Sequence, residues 1–127
     1  MDQGQGPLRV GLVGAGMISR HHLIGWSRAD DARVVAICDP VLARAEDRAR
    51  AFAIPAVHDC VDALLAAESI DALDVASPRD THADAVRRAI QRGIPVLCQK
   101  PLAPSLAEAE ALVAEAAPRI RLMVHEN

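Results

Sequence analysis

The chain has 127 residues, a formal net charge of -3 and a 51% apolar composition with one Phe, one Trp and no Tyr. That is enough chain for one domain around an aliphatic core. It offers little aromatic surface for stacking on nucleic-acid bases, its charge disfavours a phosphate backbone as partner, and its apolar runs are strand-sized and too short to span a membrane.

Residues 1–6 lack the basic start and long apolar run of a signal peptide and read as a flexible leader. Leu8 to Val13 follows as a first buried strand, and a helix from Met17 to Arg28 comes next. Arg33 to Cys38 is a β-branched second strand, and Leu42, Ala45, Ala49 and Phe52 then recur at helical spacing. Ala56 to His58 is a short third strand, and Asp59 is placed to cap a helix that shows Val61, Leu64 and Leu65 on one face. Ala72 to Ala76 is the fourth strand. A helix starts at Asp80 or Thr81, carries Ala83, Val86, Ala89 and Ile90, and stops at Gly93. Pro95 to Gln99 is the fifth strand. Ser105 and Glu108 form a capping box for a helix whose apolar stripe is Leu106, Ala109, Leu112, Val113 and Ala116. Arg121 to His125 is the sixth strand. Strict alternation of strand and helix predicts an α/β fold: a doubly wound, mostly parallel, six-stranded sheet with helices on both faces, in a single domain over residues 7–127.

Gly14 and Gly16 lie at the first strand-to-helix turn, where they match the opening of the dinucleotide fingerprint G-x-G-x-x-G/A of the Rossmann fold. The first glycine permits the tight turn. The second lets backbone approach a pyrophosphate, which then sits on the N–H groups of Met17 and Ile18 at the positive helix end. Ser19, small but neither Gly nor Ala, holds the third position. Gly11 serves close packing of strand on helix. Asp39, at the end of the second strand, stands where an acid accepts hydrogen bonds from the adenosine ribose, with a helix cap as its other reading. A carboxylate there disfavours a 2′-phosphate, so NAD is expected over NADP, with Arg44 able to soften the preference. Ser77, Pro78, Gln99, Lys100 and Asn127 all follow strand ends, so the topology alone lets them converge on the nicotinamide half of the ligand. Cys38, Cys60 and Cys98 form no CxxC pair, and Cys38 and Cys98 end apolar runs as small buried hydrophobes, which suits a reducing, cytoplasmic setting. The histidines show no metal-ligand spacing, so no metal is expected. Arg87, Arg88 and Arg92 read as a solvated helix face.

The stretches GAGMISRHH and SPRDTHADAVRRAIQRGIPVLCQKPLA resemble the Gfo/Idh/MocA oxidoreductase family. The resemblance rests on Ser77-Pro78, His82, Gly93 and Gln99-Lys100-Pro101, with Gln99 standing where the family has Glu. It implies an NAD(P)-binding Rossmann domain of an enzyme that moves a hydride between nicotinamide and a sugar or polyol hydroxyl or carbonyl. It also implies Lys100 as the catalytic group touching ribose and substrate, and a structural or cofactor-side role for His82, whose other reading is a solvated or capping histidine. His22 is expected to pack on the fingerprint helix. The family's substrate domain is absent from this sequence, so the 127 residues alone are expected to bind dinucleotide weakly and to be inactive, with homo-oligomerisation left to the missing domain. The competing readings are an NAD-dependent glycosidase of the same family and a non-catalytic nucleotide-binding or regulatory module.

Overall fold

The central strands are mostly apolar and β-branched, as strands covered on both faces by helices require, with Asp74 the buried exception. The computed structural model describes residues 6–125; most of the expected leader, together with Glu126 and Asn127, lies outside the described residues. Six strands, β1 (Leu8–Val13), β2 (Ala32–Cys38), β3 (Ala56–His58), β4 (Ala72–Val75), β5 (Val96–Gln99) and β6 (Leu122–His125), alternate with α1 (Met17–Ser27), α2 (Leu42–Phe52), α3 (Val61–Ala67), α4 (His82–Gln91) and α5 (Leu106–Ala116). The sheet order is β3-β2-β1-β4-β5-β6, and every pairing is parallel. The expected doubly wound Rossmann sheet is therefore present, parallel throughout.

Two apolar layers sandwich the sheet. On one face Leu23 of α1 and Ala45 and Ala49 of α2 pack on Leu12 and Ile37. On the other, Leu64 and Leu65 of α3, Val86 and Ala89 of α4, and Leu112 and Ala116 of α5 pack on Val35, Leu73, Val75 and Val96. The buried residues of α2 are alanines, and α4 adds Ala85 and Ala89, which lets these helices approach the sheet closely. Gly11 is part of that fit: a Cβ there would lie 2.9 Å from a methyl of Leu64.

Three local expectations need correction. Asp59 does not cap α3; Cys60 does, its Sγ accepting from the Ala63 N–H at 3.4 Å. The helix expected from Asp80 or Thr81 begins at His82, after a 3-10 turn over Arg79–Thr81. The apolar stripe of α5 is only partly used: Leu112 and Ala116 are buried, while Leu106 and Val113 are exposed. The remaining helix ends follow their sequence signals. Ser105 caps α5 by accepting from Glu108 N–H at 3.2 Å. Gly93, with φ at +68°, ends α4, and the Gly93 and Ile94 amides bond back to Ile90 and Ala89.

Candidate functional site

The sheet's strand order reverses direction between β1 and β4, and a cleft of about 730 Å³ opens there at the carboxyl ends of the strands. Its floor is the end of β1, β2 and β4: Val13, Cys38 and Ala76. Gly14, Gly16, Met17, Ile18, Asp39, Ser77 and Pro78 line it together.

The two fingerprint glycines have different structural reasons. Gly14 has φ at +104°, and a Cβ there would lie 2.7 Å from both the Cα and the N of Ser77. The turn is thus pressed against the exit of β4, and only glycine allows it. Gly16 has nothing within 4 Å of an added Cβ; the space it leaves belongs to the cleft. Gly16 is also the N-cap of α1, with no side-chain cap and no acid in the first turn. The Met17 and Ile18 amides find no acceptor among the described residues, so the positive helix end is bare and can take an anion. Ser19 is fully buried, with its hydroxyl donating to the Gly16 carbonyl at 2.6 Å. Arg48 reaches from α2 and donates to Ser19 Oγ at 3.2 Å and to the Gly16 carbonyl at 3.1 Å. The departure from Gly or Ala at this position thus carries a brace for the turn.

Asp39 is 7% exposed at the cleft wall. One carboxylate oxygen accepts from the Ala15 N–H at 2.9 Å and the other from the Val41 N–H at 2.8 Å. The N-cap of α2 is Val41, so Asp39 is not that cap; it ties the glycine turn to the β2–α2 loop. Each oxygen keeps a lone pair, the capacity needed to accept from a ribose hydroxyl. Asp59, Asp62 and Asp84 add negative charge around the same cleft, against Arg44 and Arg88. Arg88 is not simply solvated: it pairs with Asp84 at 2.9 Å and with Asp62, and those carboxylates hold its pKa above the usual range. Arg87 pairs with Glu115 and Arg92 donates to the Leu65 carbonyl.

At the other end of the cleft Ser77 donates to Thr81 Oγ1 at 2.6 Å, since the Thr81 proton goes to the Pro78 carbonyl, also at 2.6 Å. His82 is 1% exposed. Its Nε2 faces the Ser77 carbonyl at 2.8 Å and its Nδ1 the Pro101 carbonyl at 2.6 Å. His82 is therefore neither solvated nor a cap: it fastens the turn after β4 to the turn after β5. Gln99 ends β5 and Lys100 begins that second turn, where the Lys100–Pro101 peptide is cis. Lys100 is exposed, Gln99 is buried, and neither these two nor His82 belongs to the cleft wall.

A second polar cluster went unread in the sequence. His22 Nδ1 is 2.8 Å from an Asp74 carboxylate oxygen, and Nε2 is 2.8 Å from Gln99 Oε1. Trp26 Nε1–H donates to Asp74 at 2.7 Å, and the His125 ring stacks on His22 at 5.0 Å. Burial works to lower the pKa of His22, but the hydrogen bond and charge of Asp74, with Gln99, outweigh it and raise the value. His22 of α1 and Asp74 of β4 thus form a buried hydrogen-bonded pair that favours the protonated ring. The only signal for it was an acid, Asp74, inside an otherwise apolar strand. Burial pushes the thiols of Cys38 and Cys98 up to about 12, which makes both inert. Among the described residues no group of three or more His, Cys, Asp or Glu comes together as a metal site.

The chain matches, over residues 8–126, the profile of an oxidoreductase family with an NAD-binding Rossmann fold. It is 40% identical over 117 residues to the D-apiose dehydrogenase of Paraburkholderia graminis, which covers 91% of this chain and 31% of that protein. Against inositol 2-dehydrogenase 4 of Saccharopolyspora erythraea it is 43% identical over 112 residues, 84% of this chain and 33% of the other. An oxidoreductase from Agrobacterium radiobacter, crystallised with NAD+, L-tartaric acid and magnesium, superposes with a TM-score of 0.90 at 32% identity, covering 94% of this chain and 35% of that one. The chain spans about a third of the length of these relatives.

Proposed function

The chain belongs to the Gfo/Idh/MocA oxidoreductases and forms their NAD-binding Rossmann domain; from that premise we propose that it serves an NAD-dependent enzyme that oxidises a sugar or polyol hydroxyl, with Lys100 handling the proton. The observation that carries this reading is the composition of the cleft: a bare helix terminus and an open Gly16 at one end, a ribose-ready Asp39 at the wall. When bound, nicotinamide supplies the hydride acceptor. The chain's own residues hold the dinucleotide, order the β4 and β5 turns, and present the Lys100 ammonium beside them. Lys100 is the sole lysine of the sequence; its other basic Lys/Arg side chains are all arginines. A guanidinium keeps its charge at any working pH, whereas an amine can give up and regain a proton. Among the Lys/Arg positions, Lys100 is therefore the one suited to proton transfer. In the enzyme that carries this domain, Lys100→Met should lower kcat by about 10²–10⁴-fold, the usual size of general acid–base catalysis, while NAD affinity falls far less, by the loss of one ribose contact. A variant with wild-type kcat would remove Lys100 from the reaction.

Cofactor preference follows from the same wall. The Asp39 carboxylate meets a 2′-phosphate with like charge, and the acidic residues around it add to the field. NAD should bind the chain more tightly than NADP by calorimetry. Asp39→Ala removes both the charge and the tie to Ala15 and Val41, so affinity for both ligands falls while their ratio moves toward NADP by at least about tenfold, or about 1.4 kcal/mol. An unmoved ratio would leave Asp39 with its bracing role alone.

A further inference from the structure

The residues on either side of Lys100 are each held by a buried histidine. Gln99, before it, has its amide oxygen 2.8 Å from His22 Nε2. Pro101, after it, has its carbonyl 2.6 Å from His82 Nδ1. The two rings come from different helices on opposite faces of the sheet: His22 from α1, which carries the phosphate turn, and His82 from the start of α4. Resting on the reading of Lys100 as the proton-handling group, we propose that His22 and His82 are positioning residues for the Lys100 turn, and that the protonation state of His22 is transmitted to that turn through the Gln99 amide.

The chemistry of the contacts supplies the coupling. Asp74 and the oxygen of Gln99 only accept, so His22 satisfies both when it carries both ring protons. On losing one proton the ring keeps its bond to the carboxylate, the stronger acceptor. Its Nε2 lone pair then faces the Gln99 oxygen, and the contact turns repulsive. A half-turn of the Gln99 amide about its last torsion presents the NH₂ group instead and restores a hydrogen bond. A glutamine in this place can thus bond to His22 in either state, whereas a carboxylate has no donor to offer the neutral ring. The groups facing His22 are few. Asp74 from β4 is its ion-pair partner, itself bonded to Trp26 of α1, and Gln99 from β5 is uncharged. His125 from β6 stacks on the ring, its buried Nδ1 without a partner among the described residues. Across the sheet the Cys98 thiol feels the charge of Asp74. His82 acts on the same turn from the other side and also holds the Ser77 carbonyl, so one ring links the turns after β4 and β5.

The sole lysine makes this measurable. Labelling this chain with [15N]lysine gives one backbone amide signal, that of Lys100. Through a pH titration over the histidine range, the signal should move in a step whose midpoint coincides with that of the His22 ring resonances. His22→Gln should abolish the step while the chain stays folded. His82→Gln should displace or broaden the signal at every pH and leave the step in place. A Lys100 signal that stays still while His22 titrates would overturn the proposal, and the wild-type chain alone decides that point. A step that survives in His22→Gln would overturn it equally. None of these readings uses a ligand. NAD added to the same sample tests the cofactor reading separately: failure to bind would sink that reading and leave the coupling standing.

Discussion

Asp74→Ala should cost about 3–5 kcal/mol of folding stability, the scale expected when one member of a buried ion pair is removed. Asp74 is 1% exposed and accepts from both His22 and Trp26. Its loss leaves the indole N–H without an acceptor and removes what holds the buried His22 ring in its charged form, so the ring gives up that proton. Asp74→Asn retains an acceptor for Trp26 and should cost less. The effect depends on pH in a fixed direction. The pKa of His22 in the fold lies above its ordinary 6.5, so the charged ring contributes its full stabilisation below that ordinary value. The contribution is lost as pH rises through the folded-state value. Urea denaturation at a series of pH values should show the gap between wild type and Asp74→Ala narrowing on the alkaline side. Parallel curves would show that His22 is not the ionised partner.

The two fingerprint glycines should separate folding from binding. Gly14→Ala puts a Cβ 2.7 Å from backbone atoms of Ser77, in a backbone conformation of φ +104° that L residues rarely adopt. Backbone strain and overpacking together put the cost at about 2–5 kcal/mol, and a thermal melt should show it without any ligand. Gly16→Val puts its Cβ in open space, so the melt of the unliganded chain should lose only the weaker N-cap preference of valine, about 1 kcal/mol. NAD affinity should nevertheless fall by at least about 100-fold, or about 2.7 kcal/mol, because the added methyls occupy the approach to the helix amides. Wild-type NAD affinity in folded Gly16→Val would remove the cleft from consideration as the pyrophosphate site.

The fold was readable because local and global signals agree. RVVAIC and ALDVA are β-branched or apolar runs between helical periods, and Gly14 and Gly93 punctuate them where positive φ is required. That Gly14, Gly16, Met17, Ile18 and Asp39 line one cleft was readable for the same reason: they sit at consecutive strand ends, and topology brings strand ends together. What escaped was whatever depended on a contact between side chains far apart in sequence. Nothing near Ser19 announces Arg48, and nothing in QKP announces that His22 will meet Gln99 from 77 residues away. The last turn of α2 was similarly hidden. Ala53 takes a left-handed conformation with φ at +58°, the place where glycine is the expected signal. On α5, helical spacing correctly found an apolar stripe, but periodicity does not say how wide a stripe the sheet covers, and Leu106 and Val113 stay outside.

The placement of β1 also sets an order on events during synthesis. β1 emerges before the other five strands of this sheet and lies inside it, between β2 and β4, with Val10 opposite Val34 on one side and Ala72 on the other. Its second edge therefore stays without a partner until some sixty further residues have been made. Closing so long a loop adds only about 0.6 kcal/mol per doubling of its length, but contacts between distant residues slow the search for the native pairing. The half-sheet β3-β2-β1, with α1 and α2 on its face, is the largest piece that can assemble beforehand. In that interval the edge of β1 that later receives β4 is bare. A nascent chain arrested before Ala72 should therefore expose an apolar strand edge of the kind chaperones bind, and one extended past β4 should lose it.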